Sequence, residues 1–169
     1  MAYEKGQYIV KPGNGICKIE DILHLNMSGI DKDKLYYLLI PLDDQGGKIY
    51  VPIDKAETAV RKVMTEEDVK NLINKIPEIE EIWVGNDKLR EQRYKEAIRS
   101  GNPEELIAII KTLYLRKKKR IESGKKTLSL DEKYFKMAEN NLYSEMGFVL
   151  GKEKKEVCQL LIETMKSHS

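Results

Sequence analysis

The spacing of apolar residues changes near residue 60, and this change constrains the fold more than any other feature of the chain. Before it, short apolar runs alternate with clusters of glycine, proline, asparagine and aspartate, which is typical of strands joined by turns. From residue 65 onward, apolar residues recur three and four positions apart, as in amphipathic helices. The sequence therefore predicts an α+β chain in which the strands come first and the helices follow.

The N-terminal part contains four strand candidates, at residues 7–10, 16–22, 35–40 and 48–52. The segment Lys-Pro-Gly-Asn-Gly at residues 11–15 joins the first two, because proline fixes φ while glycine and asparagine tolerate positive φ. Four or five strands in about 55 residues are too few for a β-sandwich. We therefore predict a small, strongly bent β-barrel of the Tudor or SH3 type.

The helix starts in the C-terminal part carry capping residues. Thr65 and Asp68 resemble a capping box. Asn102 precedes Pro103 and two glutamates, which places a cap, a proline and acids in one first turn. Further helices are predicted from Asn86 or Asp87 to about Ser100, from Ser129 onward, and over residues 152–165. Together these helices predict a compact all-α domain.

A chain of 169 residues suits one ordinary domain or two small ones. We assign residues 1–60 to the β-domain, 61–85 to a helical junction and 86–169 to the all-α domain. No apolar run approaches the roughly 18 residues of a membrane span, and the N-terminus lacks the apolar core of a signal peptide. We therefore expect a soluble, cytoplasmic protein. We also expect it to be a monomer.

No motif of a nucleotide-binding loop, a serine hydrolase or a zinc protease occurs in the sequence. Cys17 and Cys158 lack the neighbours of a metal site and are expected to be free thiols in a reducing compartment. A catalytic dyad of Cys17 and His24 is conceivable, but an apolar strand position is typical of a buried thiol. We therefore predict a protein that is not an enzyme and that uses no cofactor or metal.

Positive charge is concentrated between residues 88 and 126, where 13 Lys and Arg accompany 5 Asp and Glu, whereas the rest of the chain has 17 basic and 23 acidic residues. Such a field attracts polyanions. Cations at a helix end also complement the helix dipole, which explains one or two of the five consecutive cations at 116–120. A merely solvated surface is the alternative. The cations predicted to contact DNA phosphates are Lys88, Arg90, Arg93, Lys95, Arg116, Lys117, Lys118, Lys119 and Arg120.

Two aromatic residues, Trp83 and Tyr94, are candidates for stacking on DNA bases. The alternative for Trp83, which follows Ile79 and Ile82, is that it seals the junction between the two halves. No segment has the Asn, Gln and Arg pattern of a helix that reads bases, and no zinc finger occurs. DNA binding is therefore expected to depend strongly on salt and weakly on sequence.

Several segments, taken in order, resemble one protein family. The opening Tyr-Glu-Lys-Gly-Gln-Tyr-Ile-Val-Lys-Pro-Gly-Asn-Gly-Ile-Cys-Lys-Ile at residues 3–19 resembles the start of the CarD/CdnL family of bacterial transcription regulators. Lys-Ile-Tyr-Val-Pro at 48–52 resembles a later strand of that family, which ends in Val-Pro. Arg-Tyr-Lys at 93–95 and Ser-Gly-Asn at 100–102 resemble its C-terminal domain. The order and spacing of these motifs make the resemblance specific.

The resemblance implies a Tudor-like N-terminal domain that docks on the RNA polymerase β subunit and a helical C-terminal domain that contacts promoter DNA. Activating members of the family stabilise the open promoter complex with a tryptophan at the upstream edge of the bubble. Alignment on Arg-Tyr-Lys places Arg90 where that tryptophan lies, whereas Trp83 occurs seven residues earlier. Either Trp83 replaces it from another backbone position, or the wedge is missing.

The family's docking surface includes basic residues near the strand that ends in Val-Pro. At two such positions this chain has Tyr50 and Leu25. We therefore expect docking through backbone pairing along an exposed strand edge, with altered side chains. The residues expected to bind polymerase are Leu25, Lys48, Ile49, Tyr50, Val51 and Pro52.

The hypothesis that accounts for both halves is a non-enzymatic transcription regulator that bridges the RNA polymerase β subunit and promoter DNA and modulates open-complex stability. The β-domain would supply affinity for polymerase, and the basic helices would bind DNA without sequence specificity at a raised effective concentration. The alternative is a protein-interaction adaptor that binds polymerase or another protein without contacting DNA. The two hypotheses differ in whether DNA binding exists and weakens with salt.

Overall fold

The computed structural model describes residues 3–82 and 85–167, apart from the side chains of residues 87 and 167. The chain divides into two compact units, Met1–Val63 and Met64–Ser169. The first unit contains a β-sheet and the second contains helices. The predicted α+β fold, with the strands before the helices, is therefore confirmed.

The first unit contains one antiparallel sheet of five strands. They are β1 (Tyr8–Lys11), β2 (Gly15–His24), β3 (Leu35–Pro41), β4 (Ile49–Pro52) and β5 (Arg61–Lys62). The sheet order is β4-β3-β2-β1-β5, so β4 and β5 are its two edge strands. The first four strands lie where the sequence predicts them. The two-residue β5 was not predicted, because it is too short to show a period.

The turn between β1 and β2 has the geometry that its residues favour. Gly13 and Gly15 have φ angles of +87° and +77°, which glycine adopts without steric cost. The Asn14 N–H donates to the Lys11 carbonyl at 2.9 Å, which closes the turn. Farther along β2, the register with β3 shifts between Ile19 and Asp21. A β-bulge at such a position bends a strand and increases its twist.

The core of the β unit is formed by residues of β1, β2, β3 and β4 and of the segments that flank them. Its buried residues include Ile9, Cys17, Ile19, Tyr37, Leu39 and Val51. The Tyr37 hydroxyl donates to the Tyr3 carbonyl at 3.0 Å and accepts the Tyr3 N–H at 3.2 Å, which fixes the segment before β1 against β3. A 3₁₀ turn (Ile53–Lys55) and a short helix, α1 (Ala56–Ala59), follow β4.

The second unit contains five helices in its described residues. They are α2 (Glu66–Lys75), α3 (Asp87–Ser100), α4 (Pro103–Glu122), α5 (Ser129–Leu150) and α6 (Lys154–Ser167), with a 3₁₀ turn at Ile76–Glu78. None of the described helices is both long enough and apolar enough to cross a membrane. The helix ends lie within a few residues of those predicted from the sequence.

The predicted capping residues act as caps. The Thr65 hydroxyl accepts the Asp68 N–H, and the Asp68 carboxylate accepts the Thr65 N–H, both at 3.0 Å, so the capping box is confirmed. The Asn86 and Asn102 side chains accept amide hydrogens in the first turns of α3 and α4. Gly101, with φ of +65°, ends α3 in the left-handed conformation. The helices therefore begin and end for local reasons.

Helix α2 belongs to the helical unit, although residues 61–85 were expected to form a junction. Val69 and Leu72 of α2 are buried in the same core as residues of α4 and α5. The division of the chain falls after Val63, which places all of α2 in the second unit. A helix with one apolar face needs a core to cover that face, and here the helical unit provides it.

Gly147 in α5 provides a test of how closely the chain packs where α5 leads into α6. A Cβ atom added there would lie 2.5 Å from the Lys152 carbonyl oxygen. Alanine normally stabilises a helix interior relative to glycine by about 1 kcal/mol. We expect Gly147→Ala instead to lower the free energy of unfolding by about 1–3 kcal/mol, because of this overlap. Urea denaturation measures the change, with Asn140→Ala at an exposed position of the same helix as the control. An increase in stability for Gly147→Ala would contradict the packing.

Candidate nucleic-acid interface

A wide groove of about 990 Å³ lies on the helical unit beside α3 and the C-terminal half of α4. Its charged lining consists of Arg90, Arg116, Lys118, Lys119, Arg120 and Lys125 as cations and Glu81 and Glu122 as acids. Arg90 and cations that lie 26 to 35 residues after it in the sequence therefore line one surface. We call this surface the basic groove.

The basic groove forms because α3 and α4 are connected by a very short turn. Gly101 ends α3 and Asn102 caps α4, so the two helices reverse direction within two residues. With this connection, Arg90 near the start of α3 and Arg116 in the C-terminal half of α4 line the same groove. Five of the nine cations predicted to contact phosphates line the basic groove, namely Arg90, Arg116, Lys118, Lys119 and Arg120.

Arg116 is part of a polar cluster that involves three helices. Its Nε donates to Asp131 Oδ2 of α5 at 2.6 Å. The Tyr94 hydroxyl of α3 donates to Asp131 Oδ1 at 3.5 Å. The Asp131 side chain is 11% exposed, whereas that of Arg116 is 30% exposed. The carboxylate is therefore more buried than the guanidinium, and of the two only Arg116 lines the basic groove.

Tyr94 is not available for stacking on DNA. Only 1% of its surface is exposed, and its ring packs against Tyr134 with a centroid separation of 5.7 Å. The burial of Tyr94 therefore contradicts the prediction that it stacks on DNA bases. The helical period places it on the apolar face with Ala97 and Ile98, which are also buried. Burial, and then the negative charge of Asp131, raise the pKa of the Tyr94 hydroxyl to about 12.

Two predicted DNA contacts on α3 are instead paired with carboxylates. Arg93 Nη1 lies 2.9 Å from Glu105 Oε2, and this hydrogen bond raises the pKa of the guanidinium. Lys95 Nζ lies 3.2 Å from Glu91 Oε1, one helical turn earlier. Neither cation lines the basic groove. Arg93 lines a neighbouring groove of about 640 Å³ whose acidic residues are Glu78, Glu80, Glu81, Glu104 and Glu105.

The remaining predicted cations lie elsewhere on the helical unit. Lys88 and Lys117 are exposed, and neither lines the basic groove. Lys117 lines a separate cavity of about 290 Å³ between α4 and α5. Trp83, the other aromatic candidate, lies outside the described residues, so its predicted role stays a prediction.

Two residues of α4 that were not predicted fix the segment between α2 and α3. Lys111 Nζ donates to the carbonyls of Ile76 and Ile79, each at 3.0 Å. The Thr112 hydroxyl accepts the Ile82 N–H at 2.8 Å and donates to its own helix. These bonds position Glu81 and Ile82 as one wall of the basic groove. In the sequence Lys111 is only one more cation, and nothing in it indicates backbone carbonyls as partners.

In the β unit, the predicted polymerase contacts are divided between exposed and buried positions. Lys48 and Tyr50 are exposed, Tyr50 by 40%, and Ile49 and Pro52 are half-buried. Val51 and Leu25 are buried, so their side chains do not contribute to an exposed surface. Val51 is buried because side chains alternate along a strand, so that it faces the core while Tyr50 and Pro52 on either side do not.

Strand β4 has an open edge. It pairs with β3 through Ile49, Tyr50, Val51 and Pro52, and no strand within residues 3–82 and 85–167 pairs with its other side. An edge of this kind presents backbone N–H and C=O groups to a partner strand. The structure therefore contains the strand edge expected from the sequence.

The residues considered for catalysis do not come together. Cys17 is buried near the start of β2, and His24 is the exposed last residue of that strand. Burial raises the pKa of the Cys17 thiol to about 11, so that it is protonated near neutral pH. The described residues contain no group of three or more His, Cys, Asp or Glu side chains that could hold a metal ion.

Two family models match the chain, and together they cover most of it. Residues 3–64 match the CarD-like/TRCF RID domain, and residues 75–162 match the CarD C-terminal domain. The first match spans the β unit and the second spans most of the helical unit, including the basic groove. No curated protein matches the chain.

The raised pKa of Tyr94 gives stability a measurable dependence on pH. The unfolded tyrosine has a pKa near 10, whereas the folded protein retains the proton up to about pH 12. The stability that the fold gains by keeping Tyr94 protonated is therefore fully present below about pH 10 and is lost as the pH rises toward 12. We expect the free energy of unfolding to fall more steeply above about pH 10 in the wild type than in Tyr94→Phe. Urea denaturation over this pH range measures both slopes, and equal slopes would contradict the buried position of the hydroxyl.

Proposed function

The chain belongs to the CarD family of RNA polymerase-interacting transcription regulators, and we propose that it bridges the polymerase β subunit and promoter DNA so as to modulate open-complex stability. In this proposal the β unit binds polymerase and the helical unit binds DNA. The proposal assigns no catalytic step to any residue. Its effect would be a shift between closed and open promoter complexes, for which a coupling of about 1–3 kcal/mol is sufficient.

The basic groove is the observation that carries the DNA part of the proposal. Six cations and two carboxylates line it, and its cations come from both ends of the basic segment. A duplex carries one phosphate per 1.7 Å of axis, so a cationic groove binds it by releasing counterions. The groove lacks an Asn- and Gln-rich helix that could read base edges. Binding should therefore be salt-dependent and nearly independent of sequence.

Arg90 is the groove residue to which we assign the contact at the edge of the promoter bubble. It aligns with the tryptophan of activating family members, and it lines the basic groove on the α3 side. A guanidinium can pair with a phosphate or stack on an unpaired base. Trp83, which follows the groove residue Ile82 in the sequence, is the second candidate for this contact.

The open edge of β4 supports the polymerase part of the proposal. Backbone groups along this edge can pair with a strand of the β subunit, and Tyr50 provides an exposed aromatic side chain beside them. Aromatic residues are enriched among the residues that contribute most to protein interfaces. The buried Val51 would support this strand rather than contact the partner, and the side chain of Leu25 is also buried.

An adaptor that binds protein partners without DNA is the second candidate function. The internal ion pairs favour it, because Arg93, Lys95 and Arg116 each have a carboxylate partner within 3.2 Å. These cations are less available to phosphates than their number in the sequence indicates. DNA affinity measured against salt concentration distinguishes the two functions, because the adaptor has no such dependence.

Replacing Lys118 and Lys119 tests the role of the basic groove. We expect the double variant Lys118→Gln, Lys119→Gln to bind duplex DNA more weakly and to reduce the slope of log affinity against log salt by about 2, since two phosphate contacts are lost. Fluorescence anisotropy with labelled DNA measures both quantities. The matched control is Lys70→Gln, Lys155→Gln, which removes the same charge from exposed positions outside the groove. Equal losses in the two double variants would assign binding to overall charge and not to the groove.

Tyr50→Lys tests the β4 edge, because a lysine on an edge strand opposes pairing with another strand. We expect binding to the isolated polymerase β subunit to weaken roughly tenfold, as is typical for loss of an important interface aromatic. Met27→Lys is the control, since it adds the same charge at an exposed position outside the strand. DNA affinity should be unchanged in both variants. Unaltered polymerase binding by Tyr50→Lys would exclude this edge as the docking site.

A further inference from the structure

One buried carboxylate, Asp131, contacts two residues of the basic groove, each on a different helix, while it lines the separate cavity between α4 and α5 itself. It lies in the first turn of α5, accepts Arg116 Nε of α4 at 2.6 Å and accepts the Tyr94 hydroxyl of α3 at 3.5 Å. Both of its oxygens therefore have partners. A hydrogen bond between a guanidinium and a carboxylate at this distance is short and charge-assisted. Asp131 thus restricts Arg116 to one orientation.

The side chain that Asp131 restrains, Arg116, is accessible from the basic groove. Arg116 lines the basic groove and keeps 30% of its side chain exposed, although its Nε is bonded to Asp131. A guanidinium has five N–H donors, so donors remain after the bond from Nε. An arginine that is already ordered loses less side-chain entropy when it binds a phosphate than one that rotates freely. The geometry thus links a buried acid to the ability of a partly exposed cation to bind a phosphate.

We propose that Asp131 is a positioning residue for DNA binding, which fixes Arg116 so that its guanidinium meets a phosphate in the basic groove. This inference rests on the proposed DNA-binding function. It gives Asp131 a role in favour of DNA binding, although its negative charge by itself would repel phosphates. Tyr94 contributes by binding the second carboxylate oxygen, which keeps the acid in place between α3 and α4. Asp131 does not touch DNA in this proposal and acts only through Arg116.

The proposal predicts the direction in which DNA affinity changes when Asp131 is neutralised. If Asp131 acted only as a nearby negative charge, its neutralisation would strengthen the binding of DNA, since like charges repel. If Asp131 positions Arg116, its neutralisation weakens binding even though the net charge of the protein becomes more positive. The direction of the change therefore separates the two roles without any assumption about its size.

The experiment is DNA affinity of the full chain carrying Asp131→Asn, measured by fluorescence anisotropy on a short labelled duplex at low salt. We expect binding to weaken about threefold to tenfold, which corresponds to the entropy of ordering one long side chain. The matched control is Glu132→Gln, which removes the same charge from the next residue of α5. Glu132 accepts the Thr127 hydroxyl and does not line the basic groove. Binding by Glu132→Gln should be equal to or tighter than that of the wild type.

A double-mutant cycle then tests whether Asp131 acts through Arg116. In an Arg116→Gln background, Asp131→Asn should cause no further loss of DNA affinity, because there is no guanidinium left to position. A further loss of the same size would show that Asp131 affects binding by another route, such as the stability of the domain. Circular dichroism at the temperature of the binding assay establishes that each variant is folded.

Arg116→Lys tests the proposal if Asp131→Asn does not fold. It keeps the positive charge but removes the planar guanidinium that a carboxylate can orient, so DNA affinity should fall as for Asp131→Asn. Equal affinity of Arg116→Lys and the wild type would overturn the inference, as would tighter binding by Asp131→Asn. If the wild type itself shows no salt-dependent DNA binding, the proposed function fails first, and the two failures are thus distinguishable.

Discussion

Helix α4 carries both the core of the helical unit and one wall of the basic groove, and the rest of that unit depends on this double role. Its N-terminal half is buried through Leu106, Ile107, Ala108, Ile109, Ile110 and Leu113. Its C-terminal half carries the run of cations at 116–120. Because a helix is rigid over this length, burial of the first half fixes the direction in which the second half projects. The position of the groove is therefore a consequence of core packing.

Ion pairing determines which of the many cations remain available to a polyanion. Arg93 and Lys95 are bonded to glutamates on the helix surface, where such pairs contribute little to stability but occupy the charge. Lys118 and Lys119 are exposed in the basic groove. Arg116 is paired with a carboxylate through its Nε and also lines the basic groove. The candidate DNA-binding surface is consequently smaller and better defined than the basic segment of the sequence.

Local rules account for the parts of the structure that were predicted well. The glycine turn at residues 11–15, the capping box at Thr65 and the helix stop at Gly101 depend on neighbours within a few residues. Tyr94 was predicted wrongly because cations on both sides outweighed its helical period, which places it with Ala97 and Ile98 in the core. Asp131 and Lys111 were not predicted as parts of the site. Their partners lie 15 or more residues away, and no local pattern identifies such contacts.

The sequence by itself determined the order of strands and helices, the ends of most elements, the charge of the basic segment and the resemblance to the CarD family. These properties depend on backbone conformation, capping and composition, which act over short distances along the chain. Only the tertiary structure decided that Arg90 and Arg116 line one groove, that Arg93 lines an acidic one, and that Asp131 pairs with the partly exposed Arg116. The physical reason is that such contacts depend on how α3, α4 and α5 pack. A shift of one residue in the helical period moves a side chain by about 100° around its helix.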